Sequence, residues 1–358
     1  MKGCEIRTTR AKQMSLTMNP RNCSIEIRKR LWPKGKLFRK FISRFPRFTR
    51  KWYLANTRPI RAASTARSAS GCPDKPAIDW KVAGAGVIGT SHEYRGGRYE
   101  DAWATAQGQT AGGDPLVAIC VCDGAGSAPL GWLGATVCSQ LLVQWLSEHF
   151  DAYYDAFLQQ DDDEIRWGVT AVLKRALRRL AEKKTVSLES FATTVVALVA
   201  TADGRWLCVH VGDGAIVAGR DGDYQVISQP HNGRYSNETF FVTDHDAHEY
   251  LRVYANHNLP TFDAFALFTD GPQNCLIKPL TSEVCAGLGQ MFTWLDRYSV
   301  AAAEQLLEVN LEQVFRQQSA DDCTLVLAKK QQVANLVNQG DSPVMHSVTR
   351  RQSFSLDQ

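Results

Sequence analysis

The chain has 358 residues, of which 44% are hydrophobic and 22% are charged, a composition typical of a globular protein. Its longest apolar runs, such as residues 115–122, are far shorter than the roughly 18–20 residues that cross a bilayer, which argues against a transmembrane helix. The net charge of +4 hides a division, because residues 1–70 hold 19 Lys and Arg against two acidic residues. The remainder is acidic, and an acidic domain suits a cation site better than a nucleic-acid groove.

The basic arm, residues 1–76, is predicted to be a largely disordered extension and linker. Within residues 31–54, aromatic and basic side chains alternate at a roughly helical spacing that Pro46 would interrupt. This pattern leaves open a helix that contacts a membrane surface or a partner, and an Arg-rich, acid-poor start also resembles a transit peptide. The ten cysteines include no C-x-x-C pair, which argues against a zinc ribbon and favours a reducing, cytoplasmic location.

After the arm, a domain over residues 77–330 is predicted, followed by a loose polar tail over residues 331–358. Asp221-Gly222 and Gly212-Asp213-Gly214 are turn sequences between apolar runs, and the first is a strong hairpin signal. Hairpins outnumber β-α-β units, which indicates an α+β fold of antiparallel sheets with helices packed outside. Strands are predicted at 80–90, 116–122, 191–201, 205–211, 215–220, 224–228, 265–269 and 323–328, and helices at 131–149, 164–181 and 300–317.

Aspartates recur at strand ends and in turns, most of them beside glycine. A single Asp-Gly pair predicts only a turn, but strand ends from distant parts of a chain can converge on one edge of a sandwich. Carboxylates gathered there would repel one another, and Mg²⁺ or Mn²⁺ would neutralise them through oxygen ligands. Two such ions roughly 3.5–4 Å apart can clamp a phosphate and activate a water. The residues concerned are Asp101, Asp123, Asp213, Asp270 and Asp321.

The order of these motifs resembles the metal-dependent protein phosphatases of type 2C, the PPM family, and in particular its bacterial branch. The resemblance spans most of residues 78–330 and implies a four-layer α-β-β-α sandwich with a dinuclear Mg²⁺ or Mn²⁺ centre, hydrolysing phosphoserine and phosphothreonine in proteins. The matching segments are Glu100-Asp101-Ala102, Asp123-Gly124-Ala125-Gly126, Gly212-Asp213-Gly214, Thr269-Asp270-Gly271 and Asp321-Asp322-Cys323-Thr324.

The resemblance also implies roles for individual residues. Asp123 would bridge both ions, and the Gly124 carbonyl would bind one of them. Asp270 and Asp321 would complete the protein ligands of the other ion, and a water between the ions would attack the phosphorus in line. Two further positions complete the implied set: Asp101, supported by Glu100, would hold a metal-bound water, and Asp213 would join Asp270 at a weaker third metal.

Two positions depart from the family pattern. Many members have His after the Asp-Gly pair to protonate the leaving oxygen, whereas this chain has Ala125, and His92 is a candidate replacement. The phosphate-binding Arg expected five residues before Asp101 is Gly96, although Arg95 and Arg98 flank that position. Either guanidinium could bind a phosphate with two hydrogen bonds, or both could be solvated loop arginines.

Three functions follow as alternatives. The first is an active phosphatase whose partners are phosphorylated proteins and an opposing Ser/Thr kinase, without specific nucleic-acid binding. The second is a catalytically weak domain of the same fold that binds phosphoproteins or a kinase, as the two departures would allow. The third places the function in the basic arm, through contact with a membrane surface or nucleic acid.

Overall fold

The computed structural model describes residues 78–232, 239–256, 261–278 and 281–332. The predicted basic arm and nearly all of the polar tail lie outside these ranges. Among the described residues, no helix is long and apolar enough to cross a membrane.

Within the described ranges, ten strands form two five-stranded sheets in which every neighbouring pair is antiparallel. The first sheet has the order β1-β10-β9-β6-β7 and the second β2-β3-β4-β5-β8. The prediction of an α+β fold with antiparallel sheets is therefore confirmed. The strands are β1 Ile78–Val87, β2 Ala102–Gln109, β3 Pro115–Cys122, β4 Val195–Thr201, β5 Trp206–Val211, β6 Ala215–Arg220, β7 Asp223–Ser228, β8 Arg252–Ala255, β9 Ala264–Phe268 and β10 Cys323–Gln332.

Helices cover the outer face of each sheet. In chain order they are α1 Thr90–Tyr94, α2 Gly131–Leu158, α3 Asp162–Lys184, α4 Ala247–Tyr250, α5 Gln273–Leu276, α6 Ala286–Arg297 and α7 Val300–Asn310. The long α2 packs on the second sheet, with α3 against α2, whereas α6 and α7 pack on the first sheet.

The core between the sheets explains why the strands are so apolar. Seven of the eight residues of β3 are buried, because one face meets α2 and the other meets the opposite sheet. Side chains of both sheets interdigitate there, including Ile119 and Leu198 of the second sheet and Phe265 and Leu267 of the first. Burial of such side chains stabilises a fold by about 25 cal/mol per Å² of apolar surface. The two packed sheets therefore hold the loops at their rim in position.

Several boundaries differ from the sequence prediction for physical reasons. The strand expected to begin at Phe191 begins at Val195, because a 3₁₀ turn precedes it. The helix expected over 300–317 ends at Asn310 and continues as a π-helical turn, Leu311–Phe315. Strand β2 was not predicted, since its exposed, polar residues give a weak pattern. The hairpin at Asp221-Gly222 is confirmed by positive φ angles of 55° and 91°.

Candidate metal centre

Strand pairing brings the predicted carboxylates together from four parts of the chain. Ala102 pairs with Cys122 across β2 and β3, so Asp101 and Asp123 flank the same end of that ladder. In the other sheet β9 pairs with β10, and Thr269 donates its backbone N–H to the Thr324 carbonyl, which places Asp270 beside the start of β10. The sandwich thus gathers at one rim side chains that lie more than two hundred residues apart in sequence.

The charges of these groups act on one another. The pKa of Asp123 is raised well above its ordinary value, first by burial and then by the negative charges of Asp101, Asp270, Asp321 and Asp213. Burial, followed by the charges of Asp213 and Asp321, also raises the pKa of Asp270, to about 7. Without cations the cluster cannot be fully ionised at neutral pH, and its oxygens form the ligand set that Mg²⁺ and Mn²⁺ prefer. The residues therefore fit a divalent metal centre.

Asp123 is fixed by the polypeptide around it. Its backbone N–H donates to Thr194 Oγ1 at 2.9 Å, and its carbonyl accepts the Thr193 hydroxyl and the Thr194 N–H, each at 2.8 Å. The next residue, Gly124, has no room for a side chain, since a Cβ would lie 2.4 Å from the Gly131 carbonyl carbon. Glycine is therefore required by the close approach of α2 behind the site.

Asp101 is buried, with 4% of its surface exposed, and is anchored by two hydroxyl groups. Its Oδ2 accepts hydrogen bonds from Thr269 at 2.8 Å and from Thr324 at 2.5 Å. Both threonines belong to the aspartate motifs and were not predicted as site residues, although their place beside Asp270 and Asp322 was a usable signal. The buried Oε2 of Glu100, the residue expected to support Asp101, has no hydrogen-bond partner among the described residues.

Asp213 lies in the turn that joins the two sheets, after Gly212 at a φ of 112°. Thr239 donates its hydroxyl to Oδ2, whereas the buried Oδ1 has no hydrogen-bond partner within the described ranges. Burial raises the Asp213 pKa, and the charge of Asp321 adds to the effect. A buried carboxylate oxygen without a partner costs free energy unless a cation or water satisfies it, so this observation also fits a metal ligand.

Asp322 is an anchor that the sequence analysis did not identify. Only 2% of it is exposed, and its two oxygens accept the backbone N–H groups of Gly89 at 2.7 Å and Glu100 at 2.5 Å. These bonds tie both ends of the 89–100 segment to the start of β10. Asp322 therefore holds the 89–100 segment against the start of β10, next to Asp321.

His92 lies on α1, within the 89–100 segment that Asp322 holds, and its ring is close to Asp321 and Asp322. Its Nδ1 is 3.1 Å from Asp322 Oδ1, and its Nε2 is 3.8 Å from Asp321 Oδ1. A Cβ placed on Gly126 would lie 3.8 Å from Nε2. His92 therefore lies close to the Ala125-Gly126 segment, although it comes from a different part of the chain.

The two candidate phosphate-binding arginines are held differently. Arg95 follows α1 directly and is exposed. Arg98 is also exposed, but its guanidinium lies 4.9 Å from the centroid of the Trp132 ring. Burial raises the pKa of Glu100, and the charges of His92 and Arg98 offset part of that effect. The ring of Trp132 restrains the Arg98 guanidinium through a cation–π contact.

Gly89 provides a test of how tightly the 89–100 segment must meet β10. A Cβ there would lie 2.3 Å from the Asp321 carbonyl carbon. We expect Gly89→Ala to destabilise the protein by about 1–3 kcal/mol through overpacking and to lower the activity of the site by displacing Asp321. Gly108→Ala is the matched control, because its Cβ would meet only Leu116 at ordinary distances of 3.8 and 3.9 Å. Thermal denaturation and activity assays of both variants check this, and equal melting temperatures would contradict the expected clash.

The chain is similar to several known proteins. The family model for protein phosphatase 2C matches residues 88–312. A curated relative, serine/threonine-protein phosphatase 3 of Escherichia coli strain K12, is 26% identical over 260 residues, covering 70% of this chain and 98% of its own. PppA, described as a regulatory component of T6SS in Pseudomonas aeruginosa, is 21% identical with a TM-score of 0.46, covering 70% of this chain and 98% of its own. The catalytic domain of PstP, solved with two manganese ions, is 18% identical with a TM-score of 0.43, covering 71% and 99%.

The fold and the site define a metal-dependent phosphatase architecture, an α-β-β-α sandwich with carboxylates gathered at one rim. The chain belongs to the protein phosphatase 2C family, and its activity is that of a protein-serine/threonine phosphatase.

Proposed function

We propose that the chain hydrolyses phosphoserine and phosphothreonine in proteins at a dinuclear Mg²⁺ or Mn²⁺ centre within a catalytic domain over residues 77–330. The supporting observation is the pKa of Asp123, raised by burial and by four neighbouring carboxylates. Such a cluster is stable in the ionised form only with cations. The residues that would hold the metals are Asp123 and the Gly124 carbonyl, Asp270 and Asp321, with Asp101 placing a water and Asp213 joining Asp270 at a third position.

The bound ions would supply Lewis acidity, which neutralises the phosphate and activates a water for in-line attack. The chain's own residues would do the rest. Arg98, stacked on Trp132, would bind phosphate oxygens and orient the phosphoryl group.

His92 would protonate the leaving oxygen, because Ala125 occupies the position where the family pattern expects a histidine. As the P–O bond breaks, Nε2–H would give its proton to the serine or threonine oxygen, and the ring would regain a proton from water. Asp322, 3.1 Å from Nδ1, would favour the orientation in which Nε2 faces the leaving group.

The proposal predicts metal-dependent turnover of a phosphothreonine peptide and of p-nitrophenyl phosphate by the full chain. We expect activity with Mn²⁺ or Mg²⁺. EDTA should abolish this activity and excess Mn²⁺ should restore it, because the carboxylates provide no Lewis acid without a bound metal ion. Steady-state assays in the presence and absence of chelator check this. Turnover that is insensitive to EDTA would contradict the proposed centre.

A second candidate is a catalytically weak phosphoprotein-binding module, which the departures at Ala125 and Gly96 favour. It predicts saturable binding of a phosphopeptide to the Mn²⁺-loaded protein without turnover.

We propose phosphorylated proteins as substrates and a Ser/Thr kinase as the opposing enzyme. Deletion of residues 1–70 is expected to leave peptide turnover unchanged, which would separate the arm from catalysis.

A further inference from the structure

The helix that carries His92 is too short to hold itself in place. α1 spans five residues, Thr90–Tyr94, and none of them is buried. A single helical turn is unstable in water, because fixing its backbone costs more than its few hydrogen bonds return. The position of His92 therefore depends on contacts between α1 and other parts of the fold.

In addition to the contacts of His92 with Asp321 and Asp322, three contacts attach this segment to the chain that leads into β10. Gly89 donates its N–H to Asp322, and Ser91 donates its N–H to the Ala320 carbonyl at 2.9 Å. The third contact is an ion pair between Glu93 and Arg316. Of the three, this ion pair alone joins two side chains, so substitution can remove it without altering backbone hydrogen bonds.

Arg316 follows the π-helical turn Leu311–Phe315 directly. Its side chain is 10% exposed and pairs with Glu93 and with Glu312. Its backbone N–H donates to the Leu311 carbonyl at 2.9 Å, five residues back, which closes the π-helical turn. A π turn shifts the direction of the following side chain relative to an α-helix, and here the guanidinium fork faces α1.

We propose that Arg316 is a positioning residue that holds His92 in the metal centre through Glu93. The inference rests on the proposed function, in which His92 protonates the leaving oxygen. Glu93 is adjacent to His92 on a one-turn helix, so rotation of α1 that separates Glu93 from Arg316 also moves the imidazole away from Asp322. Proton transfer is sensitive to such a displacement, because a proton donor must lie within hydrogen-bond distance of the leaving atom.

The decisive variant is Arg316→Met, which keeps an unbranched apolar stem and removes the guanidinium charge. We expect turnover of a phosphothreonine peptide to fall about 10-fold, since one positioning contact is lost. Hydrolysis of p-nitrophenyl phosphate should stay within about twofold, because its leaving group needs no proton. Mn²⁺ affinity measured by calorimetry should also stay within about twofold. Arg166→Met, which removes the Arg166–Asp162 pair on α3, is the control and should change neither rate.

Two further measurements separate positioning from a general loss of stability. In a His92→Gln background, Arg316→Met should add less than about twofold, because the two changes act on one step. The imidazole NMR signals that disappear in His92→Gln should shift in metal-free Arg316→Met. Equal slowing of both substrates, or independent effects of the two substitutions, would overturn the positioning role. Absence of metal-dependent turnover in the unmodified protein would instead refute the proposed function itself.

Discussion

Asp270→Asn is expected to abolish metal-dependent turnover while making the metal-free protein more stable at pH 8. The pKa of Asp270 is about 7 in the folded protein, raised by burial and by the charges of Asp213 and Asp321. In the unfolded chain the same group has a pKa near 3.9. The folded state therefore binds the proton more tightly, and stability falls as pH rises from about 4 to about 7. At pH 8 the ionised group costs about 2–4 kcal/mol, which asparagine would avoid.

Thermal denaturation in EDTA at pH 5.5 and pH 8 tests this expectation. The melting temperature of Asp270→Asn should exceed that of the unmodified protein at pH 8 by several degrees, with a smaller difference at pH 5.5. Mn²⁺ should raise the melting temperature of the unmodified protein but that of the variant much less, because binding to the folded state stabilises it by mass action. Turnover should fall by roughly 10³-fold or more, as expected for loss of a metal ligand.

Asp223→Asn is the matched control for this prediction, since Asp223 is exposed at the start of β7. It should alter neither the pH dependence of stability nor the rate. An Asp270→Asn variant that is less stable than the unmodified protein in EDTA at pH 8 would contradict the electrostatic argument. Retention of full activity would contradict the ligand role of Asp270.

The sequence was sufficient for the layer architecture, and it indicated which aspartates lie at the ends of strands. Strands such as β3 are buried on both faces and are therefore continuously apolar. Such a run predicts a strand even when the strands that pair with it are unknown. Asp123 and Asp270 each follow such a run beside glycine, so their position at a strand end is a local property of the chain. Strand β2 left no comparable signal, because an edge strand with exposed residues need not be apolar.

The roles of Asp322, Glu93 and Arg316 could not be predicted because they arise from long-range contacts. Asp322 accepts N–H groups from residues more than two hundred positions away, at Gly89 and Glu100. The pair of Glu93 with Arg316 depends on a π turn that a helical periodicity does not reveal. A single sequence indicates which side chains can bind a metal, but the contacts that hold those side chains in position depend on the completed fold.

His92→Gln is expected to slow hydrolysis of a phosphothreonine peptide by about 10²-fold and that of p-nitrophenyl phosphate by less than about threefold. The alkoxide of threonine is strongly basic and leaves readily only with a proton, whereas p-nitrophenolate is a stable anion near neutral pH. His92 Nε2 lies beside the Ala125-Gly126 segment, and no histidine follows the Asp-Gly pair to take over its role. Steady-state rates with both substrates at saturating Mn²⁺ provide the measurement.

His248→Gln is the matched control, because His248 stacks on Trp167 at 3.7 Å between ring centroids and belongs to α4 rather than to the metal centre. It should change neither rate. Equal slowing of both substrates by His92→Gln, accompanied by weaker Mn²⁺ binding in calorimetry, would identify His92 as a metal ligand together with Asp321, from which its Nε2 is 3.8 Å. If only hydrolysis of the peptide slows, the proton donor belongs to the segment that Asp322 and Arg316 attach to β10. The loss of one histidine beside the Asp-Gly pair would then be offset by another that comes from a distant part of the chain.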